Sequence, residues 1–115
     1  MKSKLTNSKK LNSLLPLIEK RIRELFGEKV MKIILFGSYA RGDYNNESDV
    51  DIFVLVNDDD LSIYRKKRVN IITEFLEAHE ILVSIRITND HTFSKYKDVI
   101  SFYKNVITQG INLYG

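Results

Sequence analysis

Two carboxylates stand at the head of an apolar run, Asp49-Val50-Asp51-Ile52-Phe53-Val54-Leu55-Val56, and a Gly37-Ser38 pair follows an earlier apolar run, with ten residues between the two features. Residues two apart in a strand point to the same side, so Asp49 and Asp51 share a face while Val50 and Ile52 take the other. Phe53 and Leu55 continue the aspartate face with apolar groups, which places the carboxylates at a strand end where a core face opens to solvent. Two such groups a few ångströms apart repel, and partial burial sharpens the repulsion. A hard cation relieves it: Mg²⁺, or Mn²⁺ in its place, takes oxygen ligands and commonly uses one or two carboxylates together with substrate phosphates. Gly37 lets the backbone come close to a ligand. Ser38 starts a short helix whose first N–H groups favour an anion, and its hydroxyl adds a donor. A phosphate at Gly37-Ser38, joined through a cation to Asp49 and Asp51, is a coherent nucleotide site. The plainer alternative has the aspartates capping a strand and Gly37 serving only as a turn.

The elements needed to hold these residues are legible along the chain. Leu11, Leu14, Leu15, Ile18, Ile22, Leu25 and Phe26 recur at helical spacing, with Gly27 as the stop and Pro16 in or near the first turn. Val30–Phe36 reads as a strand, Ser38–Arg41 as a short helix, and residues 42–48 as a loop rich in turn formers. Residues 49–56 form a second strand. Leu61–His79 is expected to be an amphipathic helix with its Arg65–Arg68 basic cluster mostly on the outer side. Residues 80–88 read as a third strand and 89–91 as a turn. Residues 93–97 and 99–108 read as helical, and 111–114 as a short edge strand. Alternating helices and strands make this an α/β (α+β) domain with a small β-sheet covered by helices. Residues 1–10 are expected to be a flexible tail and 11–115 a single domain.

A chain of 115 residues suits one domain with one core. It has no cysteine, which excludes disulfides, thiolate metal sites and thiol nucleophiles. The first ten residues are basic and polar with no apolar signal segment behind them, and no run approaches the ~20 apolar residues of a membrane span. A cytoplasmic location fits these features. The net charge of +3 comes from local excesses at Lys2, Lys4, Lys9 and Lys10 and at Arg65–Arg68. Such clusters attract nucleic acid or nucleotide phosphates; a solvated helix face is the plainer reading and the preferred one.

The stretch from Gly37 to Val56, with Gly37-Ser38, ten residues, then Asp49-x-Asp51, resembles the signature of the nucleotidyltransferase superfamily that includes DNA polymerase beta and kanamycin nucleotidyltransferase. It is most similar to the minimal nucleotidyltransferase branch, small prokaryotic proteins of which many are antitoxins encoded beside a helical HEPN-type partner. The ending from Phe102 to Gly115 resembles that branch more weakly. The resemblance implies a nucleotidyltransferase fold with a small mixed sheet. It implies that Gly37 and Ser38 hold the β- and γ-phosphates of ATP or another NTP and that Asp49 and Asp51 bind Mg²⁺. The implied reaction moves a nucleoside monophosphate, AMP above all, onto a hydroxyl of a protein partner or small molecule and releases pyrophosphate. Arg41 and Gly42 match the family's Arg-Gly pair. Arg41 either contacts phosphate or makes an outward salt bridge, and Ser48 either lines the nucleotide site or hydrogen-bonds its own loop.

One departure bears on turnover. Polymerising members of the superfamily carry a third carboxylate on the next strand, where it helps activate the attacking hydroxyl. Here Ser84 or Arg86 occupies that region, as a possible phosphate or acceptor contact, and neither replaces a carboxylate. Glu80 is near, but at the strand's start and on the Val83 face. Arg86 would instead balance the aspartates or hold a triphosphate. His79 and His91 read as surface residues, and Phe93, Tyr96, Phe102 and Tyr103 as core or as an interface for a helical partner or a homodimer. Two functions follow: a Mg²⁺-dependent transferase, or a binding module of the same fold that neutralises or scaffolds a HEPN-type partner without turnover. A nucleic-acid binder using Arg65–Arg68 is a third and weaker reading.

Overall fold

Four strands, β1 (Val30–Phe36), β2 (Val50–Val56), β3 (Val83–Asn89) and β4 (Ile111–Tyr114), form one sheet in the order β3-β2-β1-β4. β1 is antiparallel to β2 and β4, while β2 and β3 run parallel, so the sheet is mixed. The computed structural model describes Thr6 and residues 8–115; residues 1–5 and 7 lie outside them, and with them Lys2, Lys4 and most of the expected tail. Among the described residues five helices complete the order: α1 (Lys9–Phe26), α2 (Ser38–Arg41), α3 (Ser62–His79), α4 (Asp90–Tyr96) and α5 (Ser101–Gln109). No helix among the described residues is long and apolar enough to cross a membrane.

Alternation along the strands sorts the core into two layers. Ile33, Leu35, Ile52, Val54, Val83 and Ile85 face α1 and α3, and pack against Ile18, Ile22, Tyr64, Ile71 and Phe75. Ile34, Phe53 and Leu55 face the other way, under Phe93 of α4 and Val106 of α5, with Phe102 and Tyr103 against them. Strands buried on both faces are what a crossover helix such as α3 between parallel neighbours requires. The aspartate face of β2 is therefore the face that α4 and α5 cover.

Several elements differ from the sequence expectation. α1 begins at Lys9, two residues before the first periodic leucine, because Ser8 caps it by accepting from the Leu11 N–H at 3.2 Å and Asn12 exchanges hydrogen bonds with the Thr6 backbone. Pro16 consequently lies inside the helix and not in its first turn. β3 starts at Val83; Glu80 is the left-handed cap of α3, with φ 56°, and is no part of the sheet. The expected turn at 89–91 is the start of α4, where Asn89 accepts from the Thr92 N–H at 2.7 Å, so His91 sits in a helix. α3 buries Tyr64, Ile71 and Phe75, while Val69 and Leu76 are exposed. That rotation turns Arg68 toward β3, where its Nη1 donates to the Ile85 carbonyl at 3.1 Å, while Arg65 and Lys66 stay exposed as expected.

The entry into α3 is pinned by one hydrogen-bonded pair. The Tyr64 hydroxyl donates to Asp58 at 2.7 Å, and its ring packs on Phe26 with centroids 5.4 Å apart. Burial and this hydrogen bond push the tyrosine up to about 12, while the hydroxyl holds the Asp58 carboxyl below its ordinary value. A depressed aspartate stabilises the fold above its unfolded pKa, and that stability is lost as pH falls through the lower folded value. Tyr64→Phe is expected to lower Tm by about 3–6 °C at neutral pH and to flatten this acid limb. Thermal melts across pH 2–6 check it; an acid limb unchanged in the variant would remove Tyr64 as its cause.

Candidate active site

Gly37 follows β1 directly and caps α2, with φ 75° and ψ −157°. That region of backbone space is essentially reserved for glycine. Proximity requires glycine as well, since a Cβ at this position would overlap the Asp51 Oδ2. The strand register explains the approach: Asp51 pairs with Phe36, the last residue of β1, on one side and with Ser84 on the other. Gly37, Asp51 and Ser84 thus stand in a row across the ends of β1, β2 and β3. Asp49 precedes β2 by one residue and is exposed; Asp51 is half-buried.

The electrostatics identify what this row lacks. Burial first, and then the negative charge of Asp49, raise the Asp51 carboxyl above its usual range, while Arg41 pulls it back. The fold thus holds two mutually repelling carboxylates against a close-packed glycine, an arrangement that a divalent cation would stabilise. Among the described residues no group of three histidine, aspartate, glutamate or cysteine side chains could hold a metal. The donor set is two carboxylates, which fits Mg²⁺ with phosphate and water oxygens completing its shell.

A cleft of about 350 Å³ adjoins the row and is lined by Phe36, Gly37, Ser38, Arg41, Asp51 and, from α5, Phe102, Asn105, Val106 and Gln109. Of the residues singled out in the sequence, Gly37, Ser38, Arg41 and Asp51 therefore converge. Arg41 also pairs with Asp43 at 3.3 Å, which is the salt-bridge alternative of the two the sequence left open. Asp49, Gly42 and Ser48 do not line the cleft. Gly42 ends α2 in the left-handed region, its N–H donating to the Ser38 carbonyl at 2.8 Å. The Ser48 hydroxyl accepts from the Asn45 N–H at 2.9 Å, which closes the loop. Tyr39 and Tyr44 stack at 4.4 Å and brace the same loop against α2.

Asn105 and Gln109 escape the sequence reading, and Phe102 is read there only as core or interface, because all three lie some fifty residues from the aspartates. The available signal was the spacing of two amides four apart, with Phe102 one turn earlier, which puts all three on one helix face. On β3, Ser84 and Arg86 are exposed on the aspartate side, and the Arg86 guanidinium lies over the Phe102 ring at 4.2 Å. No carboxylate occupies the β3 position beside Asp51.

The profile of the nucleotidyltransferase domain family matches residues 15–107. The chain belongs to this family. A Methanocaldococcus jannaschii protein that carries the name "putative protein adenylyltransferase" is 36% identical to it over 81% of this chain and 87% of that protein. Among solved structures, a toxin–antitoxin complex with AMP-PNP aligns with TM-score 0.62 and 28% identity, over 88% of this nucleotidyltransferase domain and 73% of the matched chain. A complex of tri-AMPylated Shewanella oneidensis HEPN toxin with MNT antitoxin aligns with TM-score 0.50 and 26% identity, over 88% and 72%. The four-stranded mixed sheet flanked by helices is the fold these neighbours share with this chain.

Proposed function

We propose that this nucleotidyltransferase domain transfers AMP from ATP to a hydroxyl of a HEPN-type protein partner in the cytoplasm, and so acts as an antitoxin. The observation that carries the reading is the contact between Gly37 and the Asp51 carboxylate: one short segment presents an anion-binding turn and Asp51 to the same cleft, with the Asp49 charge close enough to raise the Asp51 pKa. The names of the relatives support it, since one solved neighbour holds an ATP analogue and another accompanies a partner bearing AMP.

In this reading Gly37 and Ser38 receive the β- and γ-phosphates, and Arg41 adds charge from the end of α2. Asp49 and Asp51 hold Mg²⁺ or Mn²⁺, which when bound neutralises charge building on the phosphates. The acceptor oxygen bonds to the α-phosphorus, the bond from that phosphorus to the bridging oxygen of the β-phosphate breaks, and pyrophosphate leaves. The acceptor proton passes to solvent, because Ser84 cannot serve as a base.

That same serine favours a second reading, in which the domain binds its partner without turnover. The two separate in one experiment. The domain and the HEPN-type protein encoded beside it are incubated with α-labelled ATP and Mg²⁺. Label on the partner, lost with EDTA and restored by Mg²⁺ or Mn²⁺, is the expected result. A stable complex that never acquires label would replace the transferase with the binding module.

A further inference from the structure

A second cleft, a groove of about 620 Å³, follows the free edge of β3. Arg65 and Arg68 reach it from α3 and Arg86 from β3. Strand parity sets Arg86 apart. α3 packs on the opposite layer of the sheet, whereas Ser84 pairs with Asp51 and Arg86 with Phe53, so Arg86 is on the aspartate face. It is the diagonal neighbour of Asp51, roughly 7–8 Å away between backbones, a distance that an arginine side chain spans.

The Arg86 guanidinium lies over the Phe102 ring at 4.2 Å, and Phe102 lines the first cleft, so this pair is the wall the two clefts share. The ring is held in turn by the core: it meets Phe36 edge-on with centroids 5.3 Å apart and Phe53 at 6.1 Å. A stacked guanidinium offers its flat face to the ring and keeps the N–H donors in its plane for another partner. Among the described residues Arg86 makes no ion pair and no hydrogen bond, and it is exposed. Arg68, by contrast, uses a donor on the Ile85 carbonyl at the strand edge.

The transfer proposed above needs positive charge where Arg86 stands. In that reading the β- and γ-phosphates lie at Gly37-Ser38, at the end of β1, and the α-phosphate comes next along the row, at Asp51. In-line displacement puts the attacking oxygen opposite the leaving pyrophosphate, on the β3 side. Asp49 and Asp51 supply a cation from β2. On the β3 side Ser84 has no charge and cannot hold a second cation, and Arg86 is the one cationic residue of the strand.

We propose that Arg86 is a catalytic residue of AMP transfer: the edge of its guanidinium binds a non-bridging oxygen of the α-phosphate from the β3 side, in place of a second metal ion. Phe102 is the positioning residue that aims it. The acceptor oxygen bonds to the α-phosphorus, the bond to the bridging oxygen of the β-phosphate breaks with its electron pair leaving on pyrophosphate, and the acceptor proton goes to solvent. Arg86 keeps its own protons throughout. The inference rests on the transferase reading and gives β3 its part in it.

Label transfer to the HEPN-type protein encoded beside this domain, at saturating ATP and Mg²⁺, is the first test. Arg86→Gln should lower kcat roughly 10²- to 10³-fold, the loss of one preorganised donor to a developing negative charge, and Arg86→Lys should lose less. Arg65→Gln removes the same charge from the same groove and should leave kcat unchanged. An unchanged kcat in Arg86→Gln overturns the proposal, as do equal losses in Arg86→Gln and Arg65→Gln, which would mean a general field and no contact. The second test uses ATP with sulfur in place of one non-bridging α-oxygen. In wild type one diastereomer should react slowly in Mg²⁺ and Mn²⁺ alike, because its sulfur meets Arg86 and not the cation. That penalty should vanish in Arg86→Gln; a merely structural Arg86 would leave it in full and sink the proposal. The third needs no turnover. α,β-Methylene-ATP, which cannot release pyrophosphate, should bind Arg86→Gln about three- to tenfold more weakly than wild type in EDTA, and an unchanged affinity counts against the contact. A wild type that labels nothing removes the transferase reading itself, and the methylene analogue then decides the phosphate contact alone.

Discussion

Asp51→Asn should cut AMP transfer on the order of 10³-fold or more, and it should also make the domain more heat-stable. The two effects share one cause. Asp51 is half-buried beside Asp49, and burial and that neighbour raise its pKa. A raised carboxyl holds its proton more tightly in the folded state than in the unfolded one. Stability therefore falls as pH rises from the ordinary aspartate range through the raised value, and is flat above it. An amide of the same shape carries no charge and removes that penalty, for an expected gain of about 2–5 °C in Tm at pH 7 without divalent cation. Mg²⁺ reverses the ranking. It needs the ionised carboxylate, so it should stabilise wild type and not the variant, and its affinity should decline as pH falls through the raised value. Melting curves with and without Mg²⁺, from pH 4 to 8, read all three. An Asp51→Asn protein still stabilised by Mg²⁺ to the same degree would place the cation elsewhere.

Gly37→Ala should abolish transfer to a comparable extent but move stability the opposite way. The backbone at this residue costs a non-glycine side chain about 1–3 kcal/mol, and the added methyl also overlaps the Asp51 carboxylate. A Tm fall of roughly 5–10 °C is expected for a domain of this size. The two sources of strain separate in a double variant. Asp51→Gly in the Gly37→Ala background removes the overlap and leaves the backbone cost, so it should recover part of the lost Tm and none of the activity. Full recovery would mean the backbone cost is negligible; no recovery would mean the carboxylate is not what the methyl meets.

The alternation of helix and strand, and the glycine–serine and aspartate features, were legible because they depend on near neighbours. β1, α2 and β2 lie at their expected places, and β4 pairs with β1 as an edge strand. The family resemblance puts Ser84 or Arg86 in the region of the absent third carboxylate, and the register places Ser84 beside Asp51. The misplacements arise where tertiary contacts outweigh pattern. α1 was begun too late because its cap precedes the apolar repeat. Glu80 was put in a strand because its left-handed backbone, which ends α3, leaves no trace in residue type. The outward placement holds for Arg65 and Lys66 and not for Arg68, because α3 has no clean apolar stripe and its buried face is chosen by the sheet beneath it. The α5 wall of the cleft was invisible for want of any local link to the aspartates.

The charge-handling half of the site, Gly37 with Asp49 and Asp51, is contained in one uninterrupted piece of chain, β1–α2–β2, whose strands pair with each other. The groove and the far wall come from α3, β3 and α5. This division is a form of modularity. Under the proposed transferase reading, substitutions in the later elements would retune the acceptor while leaving the glycine–aspartate segment intact. In a lineage built on this plan, the later elements could diverge without disturbing the β1–α2–β2 segment.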